Sequence, residues 1–578
     1  MSALAMPSAR HPLWRGLGAI LLAGTVGLTL RFLLSGTEGG LGRTVGGDPL
    51  FGEGSKGSLG TLTEQLGANR MVLTYKTIEG SETDLKLDQV IGRLDEQAGQ
   101  WRMQSPTAHR REGIWTLMAP MELEVNAPGS SQVLGRGHIQ GDVPGIRWNR
   151  GAWEGLAPLR WESQDGAAKG IWELPAGWQR DPEGRLRVDQ GPVRWQAPAD
   201  ATDRPALQSM EAERLWVMPG FQTGHLEGVQ AKLSDGSLRA SVADLSPETV
   251  TWPGPLSFSR QDGWTGEAQG GTAPRPTPGA PFQRVEFRGF KARRNQPRGQ
   301  ESLATQGARW TPAGLRLEGN VVWEQPLDGQ RLILRAPRVL MREAVGSDLP
   351  ATLPIGSAIA EGNALLSWGP RSLSSPEILV ARASRVWHLK GPVLGRAEEG
   401  TFTGTSGTGN PHAWTIEGPV QMSFFRGGNL RGSQLLWQDA LWTLRGHPAA
   451  WSRFRERLSG PRIERQADVV SFPEGLNGTL AAADGDLFLR AERGKSEGQK
   501  ITLEGGVEFQ GQGWRLAADS VTVLVAPDRT VQKIQAQGAV TLRGRLGEGQ
   551  GEALELEPAL RTVRWQGRVR GKGDGSSW

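Results

Sequence analysis

The chain has 578 residues, 81 of them Gly and 37 Pro, with 37% hydrophobic positions and 23 Trp spread from end to end. Gly and Pro at that density oppose long helices and the tryptophans are out of keeping with simple disorder, so the composition points to many short strands. Cysteine is absent, which excludes disulfides, thiolate metal sites and a cysteine nucleophile, and 66 basic against 61 acidic residues leave +5, without the clustered stripe of a nucleic-acid binder.

In chain order, the first element is an apolar run. Residues 16–30 carry no charge and are flanked by Arg15 and Arg31; with Leu13, Trp14 and Phe32 to Leu34 the run is long enough to cross a ~30 Å hydrocarbon core. A cleavable signal peptide is the competing reading, but Leu34-Ser35-Gly36 fits a small-x-small cleavage site poorly. Residues 1–35 are therefore expected to be a retained membrane anchor. Arg10 and Arg15 place its N-terminus in the cytoplasm and the bulk of the chain outside it. Residues 36–62 read as a Gly-rich tether.

Beyond the tether the hydrophobic period is two. Trp115, Leu117, Ala119, Met121, Leu123 and Val125 alternate without a break, as in a strand buried on one face. Residues 85–98 and 451–458 are the best candidates for short helices, and the glycine-dense stretch 404–409 reads as a loop. GGTAPRPTPGAP (270–281) cannot hold a ladder, so 262–281 is expected to be a Pro/Gly linker. It separates an N-terminal β region (63–261) from two further β sections (282–440 and 441–572).

An internal repeat organises these later sections. LRLEGNVVW (315–323), AIAEGNALL (358–366), WTIEGPVQM (414–422) and ITLEGGVEF (501–509) share the form apolar-x-apolar-Glu-Gly-x-apolar-x-apolar. Parity puts Gly319, Gly362, Gly418 and Gly505 on the apolar face, and Gly538 in Ile534 to Leu542 repeats the arrangement. Glycine inside a strand marks a bulge or a bend. These five are the expected sheet-bending residues, curving an antiparallel sheet into a trough at one level. Irregular spacing between them argues for long strands with variable loops and against a strict solenoid.

The C-terminal third then carries LRGHPAAW, RIERQADVVSF, ITLEGGVEF, GWRLAADSVTVLV and IQAQGAVTLRG in order between residues 444 and 544. This succession resembles the OstA-like (LptA) domain of lipopolysaccharide transport. An anchor followed by β-rich sequence resembles LptC of the same superfamily, with Trp115 to Pro120 similar to its early strands; the present chain is much longer than is usual there. The resemblance implies an all-β fold, a V-shaped antiparallel β-jellyroll open at both ends, stacked end to end by edge-strand pairing with LptA- or LptD-like partners. It further implies a periplasmic location, lipopolysaccharide as cargo, and delivery from an inner-membrane ABC transporter with LptF/LptG-like permease subunits.

The candidate lipid-groove residues are Leu317, Val321, Trp323, Leu332, Leu334, Ile416, Val420, Leu503, Val507, Phe509, Leu516, Val521, Val540 and Leu542. Period two shows that one face is covered, without distinguishing a closed protein core from lipid as the cover. No catalytic motif, cofactor motif or metal-ligand spacing stands out: the seven His are isolated, and Glu318, Glu361, Glu417 and Glu504 fall on the solvent parity. An enzyme, a cofactor, a bound metal and a nucleic-acid partner are therefore not expected. Two other readings stay open, an anchored scaffold that binds envelope polysaccharide through exposed Trp, and an AsmA/TamB-like phospholipid bridge.

Overall fold

The computed structural model describes residues 55–573 apart from 67–68, 82, 97–98, 165–168, 199–206, 219–222, 276–282, 298, 328, 345–348, 439, 545–546 and 561. The expected anchor and most of the expected tether lie outside the described residues, and so does the end of the expected linker. Described residues form antiparallel strands almost throughout, with one 3-10 turn at Pro558–Leu560. Among them no helix is long and apolar enough to cross a membrane. The all-β expectation holds.

Two compact units emerge, one of Met1–Pro198 with Arg214–Phe221, the other of Ala199–Glu213 with Gln222–Trp578. Their division falls near residue 200, not at 262–281. The segment read as a linker contributes strands Trp264–Ala268 and Gly270–Pro274, which pair with Leu256–Arg260, Thr249–Trp252 and Val285–Gln296. Its prolines mislead because the first of them, Pro274, stands at a strand's last residue, where a missing N–H costs no ladder bond. Strand Ser55–Leu66 likewise begins inside the expected tether.

In the first unit, strands Ser55–Leu66, Asn69–Gly80, Asp84–Glu96 and Gly99–Arg111 form a meander. The segment weighed as a helix, 85–98, is thus a strand. Strand Gly99–Arg111 then carries two partners: residues 100–104 pair with Met121–Asn126 and residues 108–111 with Ile114–Met118. From there two ladders run on separately. One passes through Val133–Ile139, Leu159–Ser163, Gly170–Leu174 and Val193–Gln196. The other passes through Pro144–Asn149, Ala152–Gly155, Gln179–Arg180, Leu186–Val188 and Arg214–Val217. The unbroken alternation from Trp115 to Val125 is therefore two half-strands. All six of its apolar residues are buried, but Pro120 separates the halves and sends them to different ladders.

The second unit is mostly a meander of longer strands. Twelve consecutive strands, from Val285–Gln296 to Glu456–Gln466, each pair with the next. Residues 451–458 belong to its last hairpin, and 404–409 to strand Gly400–Gly409. After a short stretch of half-strands the meander resumes with Lys500–Gly511, Trp514–Val525, Val531–Gly544 and Gly547–Glu557.

Nearly every ladder of the meander slips register at its middle, for example between Glu318 and Val321, Glu361 and Ala364, Glu417 and Val420, Glu504 and Val507, and Gln537 and Val540. At each of these a glycine has positive φ, from +75° at Gly538 to +91° at Gly418, and one strand carries an extra residue. That is a β-bulge, and it bends the strand. The glycines were expected on the apolar face; they sit instead in the bulge, Gly362 exposed and the others half-buried. Consequently the inward residues step by four across the glycine, as from Leu317 to Val321 and Ile416 to Val420, and by three on the neighbouring strand, as from Ala336 to Val339 and Ala518 to Val521. Both arms of the bent sheet thereby keep their apolar side chains inward.

Gly418 tests this corner. A Cβ there overlaps the Thr405 hydroxyl, whereas Gly427, also at positive φ, has open space around it. Gly418→Val is expected to destabilise by more than about 2 kcal/mol, combining left-handed strain with the overlap, and Gly427→Val by about 1–2 kcal/mol from strain alone. Urea midpoints of the two variants check this, and equal midpoints would count against a tightly packed corner.

Candidate functional site

Bending at mid-strand brings the two ends of each long strand toward one another, and side chains record the meeting. In the second unit Trp368, at one end of Ser357–Trp368, lies 6.2 Å from Trp387, at the opposite tip of the hairpin Arg371–Ala381 and Val386–Arg396. Phe402 stacks at 4.8 Å on Trp414 and meets Trp442 at 6.0 Å. The guanidinium of Arg371 lies 4.2 Å over Trp437, and that of Arg465 lies 3.4 Å over Phe424. Each pair joins opposite tips. The sheet is folded along its bulge line and closed along its tips.

Polar clasps recur in this seam. Glu301, wholly buried at the start of Gly299–Thr311, accepts hydrogen bonds from Trp323 Nε1 (2.8 Å), Arg294 (2.7 Å) and Gln296 (2.6 Å). Arg382, from the opposite tips, reaches it at 3.8 Å. Glu456, also wholly buried, is gripped by Arg529 through Nε (2.7 Å) and Nη2, and Arg529 Nη2 also donates to Ser496 Oγ (2.6 Å). The first unit repeats the device. Glu64 meets Arg110 (3.1 Å) and accepts from Trp115 Nε1 (3.1 Å). Glu96 pairs with Arg180, whose guanidinium lies 5.0 Å from Trp101 and 5.2 Å from Trp153. Burial pushes the carboxyls of Glu64 and Glu456 above their ordinary range; the arginines pull the other way and lose. Such clasps fix which tips meet more than they add net stability.

Inside the fold the candidate groove residues come together. Leu317, Val321, Trp323, Leu332, Leu334, Ile416, Val420, Leu503, Val507, Phe509, Leu516, Val521, Val540 and Leu542 all belong to one apolar cluster that runs from Trp264 to Leu556, and none is more than 3% exposed. Side chains from the two arms line this interior and pack against one another along most of it. The Glu of each repeat lies on the outer surface: Glu318 pairs with Arg316, Glu361 with Arg338 and Glu504 with Arg493, while Glu417 accepts from Gln434. Among the described residues no three His, Cys, Asp or Glu are grouped to hold a metal ion. Trp148, Trp153 and Trp178 are buried and Trp161 half-buried, and the single exposed tryptophan among the described residues is Trp216.

Sequence reasoning missed the clasps. Their signature is an acidic residue on the apolar parity at the end of an alternating run, as in Leu62-Thr-Glu64, Leu94-Asp-Glu96, Glu301-Ser-Leu303 and Glu456-Arg-Leu458. The signal is legible, but the arginine that answers Glu96 is 84 residues away and the one that answers Glu456 is 73 away.

Arg529→Met leaves Glu456 buried without its cation and is expected to cost about 3–5 kcal/mol at neutral pH. A carboxyl whose folded pKa exceeds its unfolded one takes up protons on folding. Its favourable contribution is complete below the unfolded pKa and is lost as pH rises through the folded one. The cost of Arg529→Met should therefore shrink as pH falls toward 4, as followed by denaturant midpoints; a cost independent of pH would show that Arg529 does not alter the titration of Glu456 in the folded state.

No protein-family model and no curated protein matches the chain.

Proposed function

We propose that this protein is an envelope lipid carrier, a membrane-anchored, periplasmic component of lipopolysaccharide export that shields acyl chains inside a folded β-sheet of V-shaped jellyroll type. The observation that carries this reading is the single apolar cluster between the arms of the second unit, continuous across the whole meander from Trp264 to Leu556. An ordinary sandwich closes over a core of limited length. This interior is extended along the direction in which strands are added, as a conduit for alkyl chains requires. Each methylene transferred from water into it gains ~0.8 kcal/mol, so transport needs affinity distributed along the interior and no catalytic group.

Parting the tips is the motion that would admit lipid. The buried clasps suit that motion, because separated Glu and Arg side chains regain water and lose little net free energy. In this reading residues 1–35 tether the chain beside LptF/LptG-like permease subunits of an ABC transporter, and terminal edge strands pair with LptA- or LptD-like bridge proteins. An AsmA/TamB-like bridge carrying phospholipid shares these physics and differs in cargo. The polysaccharide-scaffold reading is less favoured, because stacking on sugars needs exposed rings and Trp216 alone among the described tryptophans is exposed.

Site-specific photocrosslinking in cells tests the proposal, with the probe at the buried Phe509 and, as a control, at the outward Glu508. Lipopolysaccharide attached through 509 and not through 508 is the expected result. Absence of lipid at 509, 323 and 420 in a folded, membrane-bound protein would refute it, and phospholipid adducts in place of lipopolysaccharide would move the assignment to the phospholipid bridge.

A further inference from the structure

The apolar interior of the second unit is not filled everywhere. Near the start of the meander the arms enclose a cavity of about 340 Å³. Leu238, Phe258 and Phe290 line it from one arm and Trp252, Phe287 and Met341 from the other. The three phenylalanines form one group, with ring centroids 5.3 to 6.0 Å apart. Its mouth lies at the seam and is spanned by an ion-pair relay. Arg260 lies 3.6 Å from Glu343, Glu343 lies 3.6 Å from Arg382, and Arg382 lies 3.8 Å from Glu301. Asp235 and Asp262 flank Arg260 at 3.8 and 3.4 Å.

We propose that this cavity is a binding site for a single-chain amphiphile with an uncharged, hydroxyl-bearing head, of the monoacylglycerol class. Volume, lining and charge each narrow the ligand. A space of this size is at the lower end of small-ligand pockets, ~300–1,000 Å³, and has no room for several acyl chains at once. Its walls are predominantly apolar and aromatic, which selects an alkyl chain. At the mouth, the guanidinium groups of Arg260 and Arg382 already face carboxylates, and in the lining Asp235 and Glu343 balance them. An anionic head would find both lining guanidinium groups already paired, whereas a glyceryl hydroxyl can exchange hydrogen bonds with the relay without adding charge. This inference rests on the lipid-carrier reading only in taking the interior as accessible to alkyl chains; the ligand is a different one and the site is local.

The experiment uses the full chain, detergent-solubilised, and two probes with a diazirine at the end of a fourteen-carbon chain, one a monoacylglycerol and the other the free fatty acid. Photolabelling followed by peptide mapping is expected to place the monoacylglycerol on the segments that carry Phe258, Phe290 and Met341, with at least tenfold less label from the fatty acid. Ala292→Trp, which projects a ring into the cavity, should lower labelling at least tenfold while the thermal midpoint is kept. Should that variant fold poorly, saturable competition by unlabelled monomyristoylglycerol in the unaltered protein serves in its place. Glu343→Gln should narrow the preference against the fatty acid. Label scattered outside the cavity, no competition, or fatty acid labelling as strong as monoacylglycerol would each overturn the proposal. Specific labelling here together with no lipid at Phe509 would defeat the long-conduit reading and leave this site standing.

Discussion

A strand of 12 to 14 residues, about 40 Å long, cannot bury one face by itself, and a meander of such strands left flat would expose an apolar sheet to water. The second unit depends on one solution to that constraint: each long strand bends at its middle, and neighbouring strands bend at the same level. The bend is a bulge whose glycine adopts a left-handed conformation, as at Gly319 and Gly418. Adding an extra residue to every second strand lets antiparallel neighbours turn together. The four-residue and three-residue steps between inward positions are the geometric record of that accommodation. With the bends aligned, a single sheet supplies both walls of its own core.

Where a glycine bulge is not used, the chain reaches the same result by breaking the strand. Pro120 in the first unit separates two half-strands, and in the second the half-strands between residues 249 and 274 play the same part. Continuous bent strands and paired half-strands are thus two local chemistries for one corner. Such interchange explains why the repeat is regular where Glu-Gly recurs and invisible elsewhere.

The tips need a different principle from the core. Apolar contacts along a long seam are tolerant of slippage, and a sheet of many similar strands has many similar ways to close. Buried Glu–Arg clasps, reinforced by Trp, penalise wrong closures because a mismatched Glu would be left buried and unpaired.

Much of this was legible beforehand. Alternation of apolar residues located the strands, the Glu-Gly repeat located the bends, and all fourteen apolar positions from Leu317 to Leu542 are inward. These features are local: parity and backbone permissiveness are properties of neighbouring residues, so the amino-acid order alone determines them. Residues 85–98 and 404–409 were misread because their charges and glycines conceal a strand whose partners supply its order. Clasp partners, the closure of the tips and the unfilled space beside Phe258 and Phe290 were decided only by the tertiary structure. Each depends on residues tens of positions apart being brought within a few ångströms, and no local pattern encodes which distant arginine arrives at which buried carboxylate.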